Sequence, residues 1–319
     1  MLLFVIIKKL RVQLRNKSVE ILELFSENRL KTCKYEGAEF MATIQWYPGH
    51  MNKAKNQIQE RLSLVDVVLE IRDARLPQSS ANPLLEQIIQ SKKRLIIILN
   101  KKDLADPQQT SRWQDYLKQH DCSSIAIDAQ HNSHLPVIIA AIEKLMAAKL
   151  EKYRKSGVKN YTIRVMCLGI PNVGKSTILN KLVGKKIAVT GNRPGVTKNQ
   201  NWLKAPQQIE LLDTPGVLWP KIEDQQVGLK LALSGALKAD LVANEDLALF
   251  ALEYWQKYYP QQLQQTYHFS DQDLADNSTE LLKLLAQQSN WDHAAQKVIQ
   301  DVQKGTLGRY TLDQVPLND

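Results

Sequence analysis

A glycine-rich segment with one lysine is the clearest chemical signal in this sequence. Residues 169–177 read Gly-Ile-Pro-Asn-Val-Gly-Lys-Ser-Thr and match the pattern G-x-x-x-x-G-K-[ST] at every fixed position. The apolar run 161–168 predicts a buried strand before it, and 178–183 predicts the start of a helix after it. Such a loop binds phosphate through backbone N–H groups and the helix N-terminus, while Lys175 reaches the β- and γ-phosphates and Ser176 binds Mg²⁺. The predicted nucleotide-binding residues here are Asn172, Val173, Gly174, Lys175, Ser176 and Thr177.

A second motif, Asn-Lys-Lys-Asp at 100–103, directly follows the continuous apolar run 94–99. The Asp103 carboxylate can accept hydrogen bonds from guanine's N1–H and 2-amino group, a donor pair that adenine lacks. Asn100 can bond the base edge and a neighbouring loop, and the stem of Lys101 can lie along the ring. Alone the motif is weak, but beside a phosphate-binding loop it predicts a guanine nucleotide. The predicted base-binding residues are Asn100, Lys101, Lys102 and Asp103.

A third polar segment, Asp128-Ala129, follows the predicted strand 124–127. Guanine-binding proteins often have Ser-Ala here and use a backbone N–H to bind the guanine oxygen. Asp128 departs from that pattern, but a backbone contact tolerates the change. We therefore predict that Asp128 and Ala129 also contact the base.

Two further segments are predicted to bind Mg²⁺ and the γ-phosphate. The loop 190–197 is rich in Gly and Pro, and its Thr197 is the predicted switch threonine that closes over the metal. Residues 213–216, Asp-Thr-Pro-Gly, fit D-x-x-G after the predicted strand 209–212. In this pattern Asp213 holds Mg²⁺ through water, and the Gly216 N–H senses the γ-phosphate. The predicted metal ligands are therefore Ser176, Thr197 and Asp213.

Charge and composition limit the classes of function. The net charge is +9, with +3 in residues 1–40, +12 in 41–219 and −6 in 220–319. A strongly basic segment indicates a polyanionic partner, most often nucleic acid, although a solvated lysine-rich surface remains an alternative. Three cysteines without a CxxC pair argue for a reducing compartment, here the cytoplasm, and against structural zinc. No apolar run approaches the roughly 18 residues of a membrane span, so we expect no membrane partner. We also expect the protein to be a monomer.

The order of the motifs is unusual. In an ordinary GTPase, G-x-x-x-x-G-K-[ST] comes first along the chain, D-x-x-G second and Asn-Lys-x-Asp last. Here Asn-Lys-x-Asp (Asn100) precedes the phosphate-binding loop (Gly169), and D-x-x-G (Asp213) comes last. All motifs still lie at predicted strand ends, so they can meet at one edge of one sheet. We predict an α/β fold: a doubly wound, mostly parallel P-loop GTPase sheet in circularly permuted order, followed by a small all-helical domain. The permuted order makes the segment after Asp213 run directly into those helices.

Three regions are predicted along the chain. Residues 1–40 match neither a secretory signal nor a transit peptide, and we interpret them as an N-terminal extension upstream of a natural start at Met41. Residues 41–219 form the permuted GTPase domain. Residues 220–319 form the helical C-terminal domain, with helices near 226–238, 246–259 and 291–303 and a further helix that begins at a capping pair, Asn277 and Glu280. We predict that an aromatic stripe, Phe250, Trp255 and Tyr258, is core.

The sequence resembles the RbgA/YlqF family of circularly permuted ribosome biogenesis GTPases over about 43–312. The resemblance rests on 46–51 (Trp-Tyr-Pro-Gly-His-Met), 73–75 (Asp-Ala-Arg), 100–103, 169–177, 194–197, 213–216 and 305–309 (Gly-Thr-Leu-Gly-Arg). It implies a GTPase that acts late in assembly of the large (50S) ribosomal subunit, contacts rRNA and is stimulated by the ribosomal particle. The extension 1–40 has no counterpart there, and Asp128 departs from the usual serine.

The resemblance also implies how hydrolysis is catalysed. Ras-like enzymes position water with a Gln after D-x-x-G, but Val217 stands there and cannot orient water. The family assigns that role to the histidine matching His50, on a Pro-Gly turn; a histidine that contacts RNA phosphate is the alternative. Asn172 matches a position where related GTPases coordinate K⁺ in place of an arginine finger, which contributes ~10³–10⁵ in rate.

Two other functions remain open from the sequence. One is a nucleotide-gated RNA-binding module in which hydrolysis is incidental. The other is a translation or RNA-modification GTPase that acts equally on naked RNA. An ATPase is disfavoured by Asp103.

Overall fold

The computed structural model of the chain describes residues 44–45, 49–89, 94–131, 136–185, 202–237, 241–287 and 289–316. The predicted extension 1–40, the loop 190–197 and its Thr197 lie outside the described residues. Within those ranges, none of the helices combines the length and the apolar character that a bilayer crossing requires. The described part of the chain forms a sheet with flanking helices and then continues as helices.

A six-stranded sheet is the centre of the part that the structure describes. Its strands are β2 (Val67–Asp73), β3 (Arg94–Asn100), β4 (Ser123–Ala126), β5 (Ile163–Leu168), β6 (Trp202–Ala205) and β7 (Ile209–Leu212). They lie side by side in the order β4-β3-β2-β5-β7-β6, and all neighbours are parallel except β6 and β7. A separate ribbon pairs β1 (Ile44–Gln45) with β8 (Lys221–Ile222) in antiparallel fashion. The predicted mostly parallel sheet is confirmed.

Helices cover both faces of this sheet. They are α1 (Gly49–Arg61), α2 (Pro83–Ile89), α3 (Pro107–Gln119), α4 (Pro136–Lys155) and α5 (Lys175–Val183). Successive residues of a strand point to opposite faces, and β3 shows this directly. Its Ile96 and Ile98 belong to the main core with α1, α2, α4 and α5, whereas Ile97 and Leu99 pack in a second cluster with Leu117 of α3. A strand buried on both faces explains the continuous apolar run.

The chain after the sheet is helical, as predicted. Its helices are α6 (Gln225–Leu233), α7 (Asn244–Tyr258), α8 (Pro260–Tyr267), α9 (Ser278–Ala286) and α10 (Trp291–Lys304). Phe250 and Trp255 are buried, but Tyr258 is 39% exposed, so the prediction that it belongs to the core was wrong. Pro260 ends one helix and also begins the next, because proline fits the first helical turn.

The last described segment, residues 305–314, returns to the sheet, and we call it the C-terminal strap. The Tyr310 N–H donates to Leu104 O at 3.1 Å, and the Asp106 N–H donates to Tyr310 O at 3.2 Å. The Leu312 N–H donates to Arg75 O at 2.8 Å. The strap is therefore hydrogen-bonded to the loops that follow β2 and β3.

Candidate guanine-nucleotide site

The motif segments meet at one edge of the sheet. Strands β2, β3, β4, β5 and β7 are mutually parallel, so their carboxyl ends lie on the same side. Asn100 is the last residue of β3, while 128–129, 169–177 and 213–216 follow β4, β5 and β7. The crevice outside the carboxyl ends of such strands is where open α/β sheets bind ligands. The permuted order therefore does not separate the predicted base-binding and phosphate-binding segments.

Asn100 joins three of these segments through one buried side chain. Its Nδ2 donates to Val173 O at 2.7 Å, and its Oδ1 accepts from the Ala129 N–H at 3.0 Å. The residue is 3% exposed, so both hydrogen bonds are shielded from water. The end of β3, the loop after β4 and the phosphate-binding loop are thus held together by a single amide.

Two glycines of the phosphate-binding loop have no room for a side chain. Gly174 has φ +96°, and a Cβ there would lie 2.2 Å from Asn100 Nδ2. Gly169 has φ +150°, and its Cβ would lie 2.3 Å from Ile71 O. Helix α5 begins at Lys175, and among the described residues no side chain caps its N-terminus. An uncapped helix N-terminus beside closely approaching backbone suits a phosphate group.

Lys175 and Asp213 form a buried pair of opposite charges beside this loop. Lys175 Nζ donates to Ile170 O at 2.7 Å and to Gly169 O at 3.2 Å. Burial lowers the pKa of the Lys175 ammonium to about 8, although Asp213 acts in the opposite direction. Burial likewise raises the pKa of Asp213 to about 6, although Lys175 and the Thr214 N–H lower it. In both residues burial disfavours the charged form more than the opposite charge favours it.

The residues around Asp213 fit a magnesium ion. Asp213 is 4% exposed, and its Oδ1 has no hydrogen-bond partner among the described residues. A buried carboxylate oxygen without a partner is unusual, and hard cations such as Mg²⁺ take oxygen ligands. Ser176, the second predicted ligand, lies half-buried in the first turn of α5, and Thr177 follows it. A Cβ on Gly216 would lie 2.8 Å from Pro171 and 3.1 Å from Lys175 Nζ, so D-x-x-G packs directly on the phosphate loop.

The predicted base-binding residues lie at the other end of the crevice. Lys102 is anchored by its N–H, which donates to Ile127 O at 3.0 Å, while its side chain is exposed. Lys101 has φ 63° and its Nζ lies 2.9 Å from Asp73 Oδ2. The side chains of Asp103 and Asp128 are 24% and 14% exposed, so neither carboxylate is fully buried.

Two further predicted site residues are His50 and Asn172. His50 lies in the first turn of α1, and its side chain is outside the described set. Asn172 has φ 60°, and its Nδ2 donates to Gly235 O at 2.8 Å in the turn after α6. Its amide nitrogen therefore contacts the turn after α6 in the helical part.

A buried ionic network beneath the base site was given no role from the sequence. Arg75 donates to Asp73 Oδ1 and Oδ2 at 2.9 and 2.7 Å and to the Tyr310 hydroxyl at 2.8 Å. Burial raises the pKa of Asp73, but Arg75 and Lys101 outweigh it and hold that pKa well below its usual range. The Asp-Ala-Arg motif after a buried strand was a visible signal, but its partner lies 235 residues away. Arg75 thus connects Tyr310 of the C-terminal strap to Asp73, which also forms an ion pair with Lys101.

The parallel sheet, the phosphate-binding loop and the Asn-Lys-x-Asp segment together define a P-loop GTPase whose motifs occur in circularly permuted order. A family model described as 50S ribosome-binding GTPase matches residues 164–291, a range that includes the phosphate loop and D-x-x-G but not Asn100–Asp103. Among solved structures, GDP-bound YlqF is 25% identical with a TM-score of 0.57, covering 81% of this chain and 98% of the other. YlqF from T. maritima has a TM-score of 0.56 at 24% identity, covering 82% of this chain and 98% of that one.

Curated relatives extend this similarity to nearly full length. Ribosome biogenesis GTPase A from Priestia megaterium is 43% identical over 281 residues, which are 85% of this chain and 96% of the relative. The protein of the same name from Bacillus cereus is 42% identical over 279 residues, which are 85% of this chain and 93% of the relative. This chain belongs to the ribosome biogenesis GTPase A family, and it is an enzyme that hydrolyses GTP. The resemblance inferred from the motifs is confirmed.

Proposed function

We propose that this GTPase acts late in maturation of the large (50S) ribosomal subunit in the cytoplasm, where it binds the precursor particle and its rRNA in a GTP-dependent way. The observation that carries the proposal is the 43% identity to a protein named ribosome biogenesis GTPase A over 96% of that protein's length. The net charge of +12 in residues 41–219 supports an RNA partner, because lysine and arginine bind phosphate whatever the sequence. We expect the protein to act as a monomer.

In the proposed site, Asp103 reads guanine and the loop 169–177 binds the phosphates. Lys175 leaves its carbonyl partners for the β- and γ-phosphates, where the anionic oxygens supply the charge that its buried position lacks. Ser176 and Thr197, with Asp213 through water, would hold Mg²⁺, which neutralises charge that develops on the γ-phosphate. The orphaned Asp213 Oδ1 supports this assignment.

For the attacking water we propose His50. Val217, which follows D-x-x-G, is fully buried and apolar, so it offers no group that can orient water. His50 is the second residue of helix α1, and we propose that its ring reaches the γ-phosphate when the particle docks. Replacing His50 with Ala is expected to abolish particle-stimulated turnover and leave GTP affinity unchanged. Undiminished stimulated turnover would exclude this role.

We also propose that residues 220–319 act as a helical domain that reads the nucleotide state. Two contacts support this: Asn172 of the phosphate loop donates to Gly235 O, and Arg75 Nη2 lies 3.5 Å from Ser234 O. We further propose that Asn172 coordinates K⁺ through its amide oxygen. Turnover measured in K⁺ and in Na⁺ buffers tests whether that ion takes part.

The experiment that tests the proposed function is co-sedimentation with precursor and mature large subunits, with a non-hydrolysable GTP analogue or with GDP. We expect retention on the precursor with the analogue and release with GDP, and stimulation of turnover by the precursor over naked rRNA. Equal activity on naked rRNA would instead favour a translation or RNA-modification GTPase. Full particle maturation with a hydrolysis-deficient variant would favour a nucleotide-gated binding module.

A further inference from the structure

The loop after β4 carries a second carboxylate next to the one that is proposed to read guanine. Asp128 stands where a serine is usual, and one ligand atom each of Asp103, Asp128 and His131 lies within 4.8 Å of the others. Guanine's N1–H and 2-amino group are both donors, so Asp103 has to be ionised to accept them. Two carboxylates this close disfavour each other's ionised form. The Asp128 substitution therefore acts against base recognition unless another group compensates.

His131 lies between these carboxylates. Its Nδ1 is 3.2 Å from Asp128 Oδ2 and 3.6 Å from Asp103 Oδ2. The N–H groups of Gln130 and His131 both donate to Asp128 Oδ1, at 2.8 and 2.9 Å. Lys181 of α5 donates to Gln130 O at 2.8 Å and fixes the turn from the other side. Asp128 thus closes a turn that delivers the imidazole ring to Asp103.

The charges around this turn act on the pKa values of Asp103 and Asp128. The pKa of Asp103 is raised, first by burial and then by the negative charge of Asp128. A backbone hydrogen bond and the nearby His131 and Arg75 act in the opposite direction. Burial also raises the pKa of Asp128, but the N–H groups of the turn and His131 outweigh this, so that its pKa is lowered. Of the two carboxyl groups, Asp128 is therefore the one that keeps its negative charge more readily than Asp103. Lys101 and Arg75, which are also cations near Asp103, are already engaged with Asp73.

We propose that His131 is a specificity-determining positioning residue for guanine recognition in this chain. Held by Asp128, its protonated ring offsets the charge of Asp128, so that guanine meets Asp103 as a carboxylate. The inference rests on the proposed reading of guanine by Asp103. Histidine suits the role, because its side chain changes charge between about pH 5 and 8.

The test compares GDP dissociation constants of His131→Gln and the unaltered protein at about pH 5.5 and about pH 8. The two constants are expected to converge at the higher pH, where imidazole side chains in general carry no charge. At the lower pH the variant is expected to bind GDP about 5-fold more weakly, which corresponds to about 1 kcal/mol. The ratio of constants at each pH cancels the titration of the GDP phosphates.

Three further variants separate charge from structure. His131→Arg keeps a positive charge and is expected to bind GDP as tightly as the unaltered protein at the lower pH. In an Asp128→Ser background, His131→Gln is expected to have no effect, because there is no charge to offset. His293→Gln, at an exposed histidine of α10, is the matched control. A loss that is equal at both pH values, or a loss that persists without Asp128, would overturn the proposal.

Asp103→Asn distinguishes failure of this inference from failure of the proposed site. If that variant prefers xanthosine diphosphate and the His131→Gln ratio stays near unity at both pH values, the role of His131 alone is wrong. If Asp103→Asn keeps the preference for GDP, Asp103 does not read the base and the inference fails with it.

Discussion

The Asn100 side chain joins the base-binding and phosphate-binding segments, and the effect of replacing it with alanine can be calculated. The change leaves Val173 O and the Ala129 N–H without their partner in positions that are 1% and 2% exposed. An unsatisfied buried polar group costs about 1–3 kcal/mol, so we expect the free energy of unfolding to fall by about 2–4 kcal/mol. In a chain of this size that lowers Tm by about 4–8 °C.

Nucleotide affinity provides the sharper assay, because Asn100 holds the base-binding and phosphate-binding segments together. We expect Asn100→Ala to weaken GDP binding at least ~10-fold, or ~1.4 kcal/mol, in calorimetric titration. Asn82→Ala is the matched control: Asn82 is fully buried, donates to Val217 O at 2.6 Å and accepts from the Leu84 N–H at 2.9 Å. It should cost similar stability and little GDP affinity. Equal loss of GDP affinity in both variants would refute the bridging role.

Three other predictions concern the metal site, the phosphate loop and the C-terminal strap. The pKa of Asp213 is about 6, and Mg²⁺ binds only the ionised carboxylate. The Mg²⁺-dependent affinity for GTP, expressed relative to that of Asp213→Asn, should therefore fall ~10-fold from about pH 7 to about pH 5. A ratio that does not change with pH would contradict this. Gly174→Ala should abolish GDP-induced thermal stabilisation, because its Cβ would collide with Asn100 at a positive φ. Tyr310→Phe should lower stability in urea unfolding by ~1.5–3 kcal/mol, since it leaves a buried Arg75 N–H unpaired; unchanged stability would show that the contact is dispensable.

The sequence predicted those parts of the fold that are encoded in contiguous residues. The apolar run 94–99 and the polar residues after it were enough to place β3 and to expect its end in the crevice, because parallel strands share a direction. The edge strand β6 was missed, since Trp202–Ala205 is short and only Leu203 is buried. Helix α4 continues through the charged residues 149–155, because exposed charged residues also suit a helix.

The contacts that connect distant residues were beyond the sequence. Arg75 and Tyr310 are 235 residues apart, and nothing in either local pattern identifies the other as its partner. The same holds for Asn172 and Gly235, 63 residues apart. His131 is one of six histidines in the chain, and only the geometry of the Asp128 turn distinguishes it from the others.

The central claim is that residues preceding the phosphate loop in the chain read the base of the nucleotide which that loop binds. The most direct measurement is the dissociation constants of Asp103→Asn for GDP and xanthosine diphosphate. An amide in place of the carboxylate suits the xanthine base, which carries an oxygen where guanine has its 2-amino group. We predict that the preference changes from guanine to xanthine while phosphate binding persists. A variant that still prefers GDP by the original ratio would contradict the account.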